Sequence, residues 1–90
     1  MKRYFIIYSG IVQGVGFRWR IMNIANRYGL TGIVRNLSNG DVEVQVQGNE
    51  DGLNAFLKDS LSKDRFIMIT DYSVKEMNTV ENEKEFRVVF

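Results

Sequence analysis

The chain has 90 residues, enough for one domain spanning 1–90 and too few for two. At 44% hydrophobic it can fill a core, and a net charge of +1 gives no strong electrostatic case for nucleic acid or an anionic membrane as partner. It contains no Cys and no His, which excludes disulfides, thiol nucleophiles and thiolate metal sites, and removes both the usual neutral-pH base and the commonest transition-metal ligand.

The remaining inventory is Arg, Lys, carboxylates, amides, hydroxyls and backbone N–H groups. It suits charge stabilisation and substrate positioning better than proton shuttling. No cofactor and no metal site are expected from it.

The first ten residues, MKRYFIIYSG, hold two basic residues and a short apolar run. Tyr8, Ser9 and Gly10 cut the run short, so it reads as a strand over residues 3–9 and not as a signal peptide. With no secretory signal and no run of membrane-spanning length, the expected location is the cytoplasm. A glycine-rich loop follows. From Phe17 the period changes: Phe17, Ile21, Ile24, Ala25 and Tyr28 share one helical face, and Gly29 is a natural stop.

Residues 31–37 read as a second strand, and Ser38-Asn39-Gly40 supplies hairpin chemistry. In the third strand Val42, Val44 and Val46 alternate with Asp41, Glu43, Gln45 and Gln47, which predicts one buried and one wet face. Asn49 is the candidate cap of a second helix carrying Leu53, Phe56, Leu57 and Leu61. Residues 66–77 read as a long strand, Asn78 to Lys84 as a polar connection, and EFRVVF as a last short strand. The order βαββαβ plus a terminal strand predicts an α+β, ferredoxin-like split βαβ sandwich. Two helices then pack on one face of an antiparallel sheet. That fold hosts many functions and decides none.

The loop GIVQGVGFR, Gly10 to Arg18, combines three features. Gly10, Gly14 and Gly16 allow positive φ and let successive N–H groups converge. The loop enters a helix, whose first N–H groups lack intrahelical partners. Arg18 stands in the first helical turn, where a cation costs about 0.3–1 kcal/mol against the helix dipole. A bound anion would compensate, and the guanidinium fork matches phosphate oxygens. The same pattern also fits a tight glycine turn with Arg18 and Arg20 solvated. It is not a Walker loop, since no Gly-Lys-Ser/Thr follows, and the third glycine of a dinucleotide fingerprint is missing. In a split βαβ sheet the second strand lies near the first, which brings Asn36 towards the loop. Its amide can hold a water molecule, and it equally fits a role in the hairpin turn.

At this point the chain resembles the acylphosphatase family. Gly10-x-Val12-Gln13-Gly14-Val15-x-Phe17-Arg18 matches the first family motif, and Gly32-Ile33-Val34-Arg35-Asn36 with Gly40, Val42 and Gly48 matches the second. The resemblance spans essentially the whole chain. It departs at Ile33, where the family usually has an aromatic residue, and at Ser62 to Arg65, where it usually has Gly-Pro.

The resemblance implies hydrolysis of acyl phosphates to carboxylate and inorganic phosphate. It implies a cradle formed by Gln13, Gly14, Val15, Gly16, Phe17 and Arg18, with Arg18 holding phosphoryl oxygens and Asn36 orienting the attacking water. The substrate is then a small-molecule acyl phosphate, handled by a monomer without nucleic acid or membrane. Two alternatives stand beside it. One is a carbamoyl-phosphate-handling domain like that at the start of hydrogenase-maturation proteins, disfavoured because the chain ends after one domain. The other is a non-catalytic anion- or nucleic-acid-binding module.

Other residues carry plainer expectations. Arg20 and Arg35 are expected to be solvated or paired with carboxylates, and Trp19 to pack under the loop ahead of lining an acyl pocket. Met22, Met68 and Met77 read as core or half-core. Asp41 and Glu43 read as solvated, and Glu81, Glu83 and Glu85 show no metal-ligand spacing.

Overall fold

The computed structural model describes all 90 residues. Strand β1 (Lys2–Ile11) leads to helix α1 (Phe17–Arg27), then strands β2 (Thr31–Asn36) and β3 (Val42–Gly48), helix α2 (Glu50–Ser60), strand β4 (Met68–Met77) and strand β5 (Phe86–Val89). The sheet order is β4-β1-β3-β2-β5. No helix is long and apolar enough to cross a membrane.

Period-two alternation places Ile6 and Tyr8 of β1 opposite Val44 and Val42 of β3, with Tyr4 opposite Val46. The helices lie over this face. From α1 come buried Phe17, Ile21, Ile24 and Ala25, and from α2 Leu53 and Phe56. Each of the Phe, Ile and Leu side chains among them contributes about 1.5–3 kcal/mol on burial. The Phe17 ring meets Tyr8 edge-on, with centroids 5.1 Å apart, and this contact seats the start of α1 on the sheet. Asn49 caps α2 by accepting from the Gly52 N–H at 2.7 Å.

Strand β2 lies near β1 as expected, with β3 between them. Two features differ from expectation. The sheet is mixed, because β5 pairs with β2 in parallel. Strand β4 starts at Met68, and Met68 is exposed although it was expected in or near the core. Its strand is an edge, so one flank has no neighbour to cover it.

The connection from β4 to β5 crosses from one edge of the sheet to the other over the face opposite the helices. It turns the expected wet face into a half-dry one. Gln47 donates to the Val80 carbonyl at 2.9 Å and accepts from the Val80 N–H at 2.8 Å. Arg3, 3% exposed, donates to Glu83 at 2.8 Å and to Gln45 at 3.2 Å. Glu43, expected in solvent, is likewise buried. It accepts from Arg35 at 3.0 Å and from Gln45 at 2.9 Å. Arg35 is thus paired with a carboxylate, one of the two states expected of it.

Candidate active site

Strands β1, β2 and β5 run in the same direction, so their C-terminal ends lie along one margin of the sheet. There β1 passes into the glycine loop, β2 ends in Asn36 and β5 runs out towards Phe90. The last ladder pair of β2 and β5 is Arg35 with Val89. One step further along each strand stand Asn36 and Phe90.

The three glycines of the loop do two different jobs. Gly10 sits at a bulge in β1, where a Cβ would lie 2.1 Å from the Met68 carbonyl oxygen, so it permits close strand packing and is not part of the loop's curve. Gly14 and Gly16 adopt φ of 73° and 81°, the left-handed region, and a side chain there would meet open space. Gly16 is the N-cap of α1 and offers no side-chain cap, and no acidic residue stands in the first turn. The helix N-terminus therefore keeps its partial positive charge uncompensated by the protein.

A hollow of about 310 Å³ opens at this point, lined by Gly14, Gly16, Arg18, Trp19, Asn36 and Phe90 among others. Half-buried Arg18 has no carboxylate partner. Its guanidinium stands 4.8 Å from the centre of the Phe90 ring. Asn36 Oδ1 is buried and has no hydrogen-bond partner. Such an oxygen costs about 1–3 kcal/mol in a folded protein, which makes it a group that calls for a donor.

The other expected cradle residues are placed as follows. Gly14, Gly16 and Phe17 line the hollow, Phe17 with its ring turned into the core. Val15 lines a neighbouring cleft. The Gln13 side chain turns away and donates to the carbonyls of Leu37 and Asp41, both at 2.8 Å. It ties the loop to the β2–β3 turn.

Trp19 does not pack under the loop. It is 67% exposed and lines both the hollow and the cleft. Arg20 is tied down, donating to the Asp59 and Ser62 carbonyls at 2.9 Å and pairing with Asp64 at 3.4 Å. Phe90 and Val88 had no sequence signal, since their place depends on the parallel pairing of β5. No three Asp or Glu side chains converge as metal ligands would.

Fold and site together define a small ferredoxin-like α/β sandwich with an uncapped, cationic helix N-terminus at one margin of its sheet. The acylphosphatase family model matches residues 4–88. The chain is 40% identical over 90 residues to an acylphosphatase of Clostridium acetobutylicum, covering 100% of this chain and 99% of that one. The crystal structure of acylphosphatase from Bacillus subtilis superposes with a TM-score of 0.94 at 37% identity, covering 100% of both chains. Full-length HypF, in its phosphate- and nucleotide-bound form, matches with a TM-score of 0.88 at 33% identity, over 99% of this chain and 12% of that one. The chain belongs to the acylphosphatase family, and it is an enzyme of that family.

Proposed function

We propose that this protein hydrolyses the carboxyl–phosphate anhydride bond of acyl phosphates, acts as a monomer, and needs no metal to do so. The observation that carries this reading is the pairing of two unmet groups in one hollow: a cation without an anion, Arg18, and a buried acceptor without a donor, Asn36 Oδ1.

The phosphoryl group lies against the N–H groups of residues 14–18, with its oxygens in the Arg18 fork. Asn36 Oδ1 accepts a hydrogen bond from water and aims the water's lone pair at phosphorus. The new P–O bond forms as the bond to the acyl oxygen breaks, and the electron pair leaves on the carboxylate. The water's proton passes to a phosphoryl oxygen. The transition state is loose, with its charge on the equatorial oxygens, so fixed positive charge can carry most of the catalysis. A carboxylate is a good leaving group and needs no proton from the enzyme. A chain without His or Cys is therefore equipped for this reaction.

The test is hydrolysis of benzoyl phosphate by folded protein in the presence of EDTA. Turnover is expected, and its absence would refute the reading. One variant of this reading has carbamoyl phosphate as the substrate of the same site. A much higher kcat/KM for carbamoyl than for benzoyl phosphate would select that variant.

A further inference from the structure

A second space, a cleft of about 990 Å³, opens beside the hollow, between α1, the end of α2 and residues 62–67. The two spaces share Gly16 and Trp19, so they meet at a common rim. A Cβ built on Gly16 would find nothing within 4 Å, so the rim is open above the backbone.

The cleft holds two exposed aromatic rings. Trp19 and Phe66 are each 67% exposed and both line it. Large aromatic side chains are buried on average, and two left open in one cleft form apolar surface without a partner. Most of the cleft's charge is already paired. Arg20 meets Asp64 at 3.4 Å, and Arg27 meets Asp59 at 3.3 Å. Beyond these pairs the cleft offers the two rings, with Lys63 as the remaining charge.

We propose that this cleft receives the acyl group of the substrate, and that Trp19 selects bulky, aromatic acyl groups over small ones. The inference rests on the phosphate lying in the hollow lined by Arg18 and Asn36. In-line displacement puts water and leaving group on opposite sides of phosphorus. Asn36 lines the hollow but not the cleft, so water held by Asn36 leaves the cleft side to the acyl group. An acyl group crossing the rim at Gly16 meets the Trp19 indole, which lines both spaces.

The experiment compares kcat/KM for benzoyl and acetyl phosphate in the wild type, Trp19→Ala, Trp19→Phe and Phe66→Ala. In Trp19→Ala the benzoyl-to-acetyl ratio falls roughly 2- to 10-fold, the range of one lost aromatic pair. The loss shows as a rise in KM for benzoyl phosphate beyond any rise for acetyl phosphate. Phe66→Ala moves the ratio the same way, and Trp19→Phe keeps most of it.

Trp19 is the only tryptophan, so its emission reports on the cleft directly. Benzylphosphonate shifts it to the blue where methylphosphonate does not. An unchanged ratio in Trp19→Ala overturns the proposal. So does a blue shift that follows protein concentration instead of ligand, which would mark the cleft as a contact between copies. If neither substrate were hydrolysed the hydrolase reading would fail, and the emission titration would still decide the cleft.

Discussion

The guanidinium of Arg18 stands 4.8 Å from the centre of the Phe90 ring. Both residues line the hollow, so the ring braces the cation at its wall. An exposed cation–π contact contributes about 0.5–1 kcal/mol, so Phe90→Leu should weaken inhibition by inorganic phosphate roughly 2- to 5-fold. Arg18→Lys is a larger change, because an ammonium cannot reproduce the planar fork. It should lower kcat by about 10²–10³, the usual cost of one lost transition-state donor. Steady-state kinetics with phosphate as inhibitor reads both, and a Phe90→Leu enzyme with unaltered phosphate affinity would remove the bracing role.

Asn36→Ala separates function from stability. It should cost about 2.7–4 kcal/mol of transition-state stabilisation and affect phosphate binding far less. It also deletes the buried Oδ1 that has no partner in the folded chain. The melting temperature should therefore hold or rise while activity falls. Loss of stability together with activity would argue for a structural role at the hairpin.

Gln13→Ala tests the tether. The substitution removes two hydrogen bonds, to Leu37 and Asp41. Each bond contributes about 0.5–1.5 kcal/mol. Both carbonyls keep a backbone partner, since Gly40 N–H donates to Leu37 and Leu37 N–H to Asp41. The cost in urea unfolding should be about 1–3 kcal/mol, with kcat lowered because the loop loses its anchor. Gln13→Glu should be worse than Ala, since it sets a carboxylate against two carbonyl oxygens.

The buried pair Tyr8 and Ser60 predicts an asymmetry. Ser60 Oγ donates to the Leu57 carbonyl at 2.8 Å, so the 2.7 Å contact with Tyr8 has the phenol as donor. Burial pushes the Tyr8 phenol well above its ordinary value, against the smaller opposing effect of the Ser60 bond, and keeps it protonated. Ser60→Ala strands that O–H and should cost about 1–3 kcal/mol, whereas Tyr8→Phe leaves Ser60 satisfied and should cost nearer 1 kcal/mol. Equal losses in chemical denaturation would contradict the assigned donor.

Glu83 links stability to acid. Burial acts to raise its pKa, but the hydrogen bonds from Arg3 and Thr31 and the charges of Arg3 and Arg87 outweigh burial and hold it below the ordinary 4.5. The unfolded chain then binds more protons than the folded one below that value. The carboxylate's contribution is present above 4.5 and is lost as pH falls through the lower folded value. Glu83→Gln should flatten this part of the stability profile, measured as urea midpoints between about pH 6 and pH 3.

Much of the fold was legible because its signals are local. The Val42, Val44, Val46 alternation and the Phe17, Ile21, Ile24, Ala25 stripe each bury the side they predicted. What was not legible depends on distant partners. Glu43 looked wet because alternation cannot foresee Arg35 beside it or the connection that crosses its face of the sheet. Trp19 looked like packing because hydropathy rewards burial, and an indole kept at a rim obeys another constraint. At the candidate site, residue type and motif singled out Arg18 and Asn36, which line one hollow. Phe90 was not singled out, because only the parallel register of β5 on β2 carries it to Arg18.

The interior place of β1, between β4 and β3, also sets how the chain finds its fold. Its first partner in sequence, β3, begins at Val42, and its other partner, β4, begins at Met68. Neither pairing can form until a long stretch of chain has been closed, so refolding should be governed by topology and fall in the millisecond-to-second range of non-local sheets. The chain has no proline, so the tens-of-seconds phase of prolyl isomerisation has no source here. A single exponential recovery of the native signal is the expected record of that search.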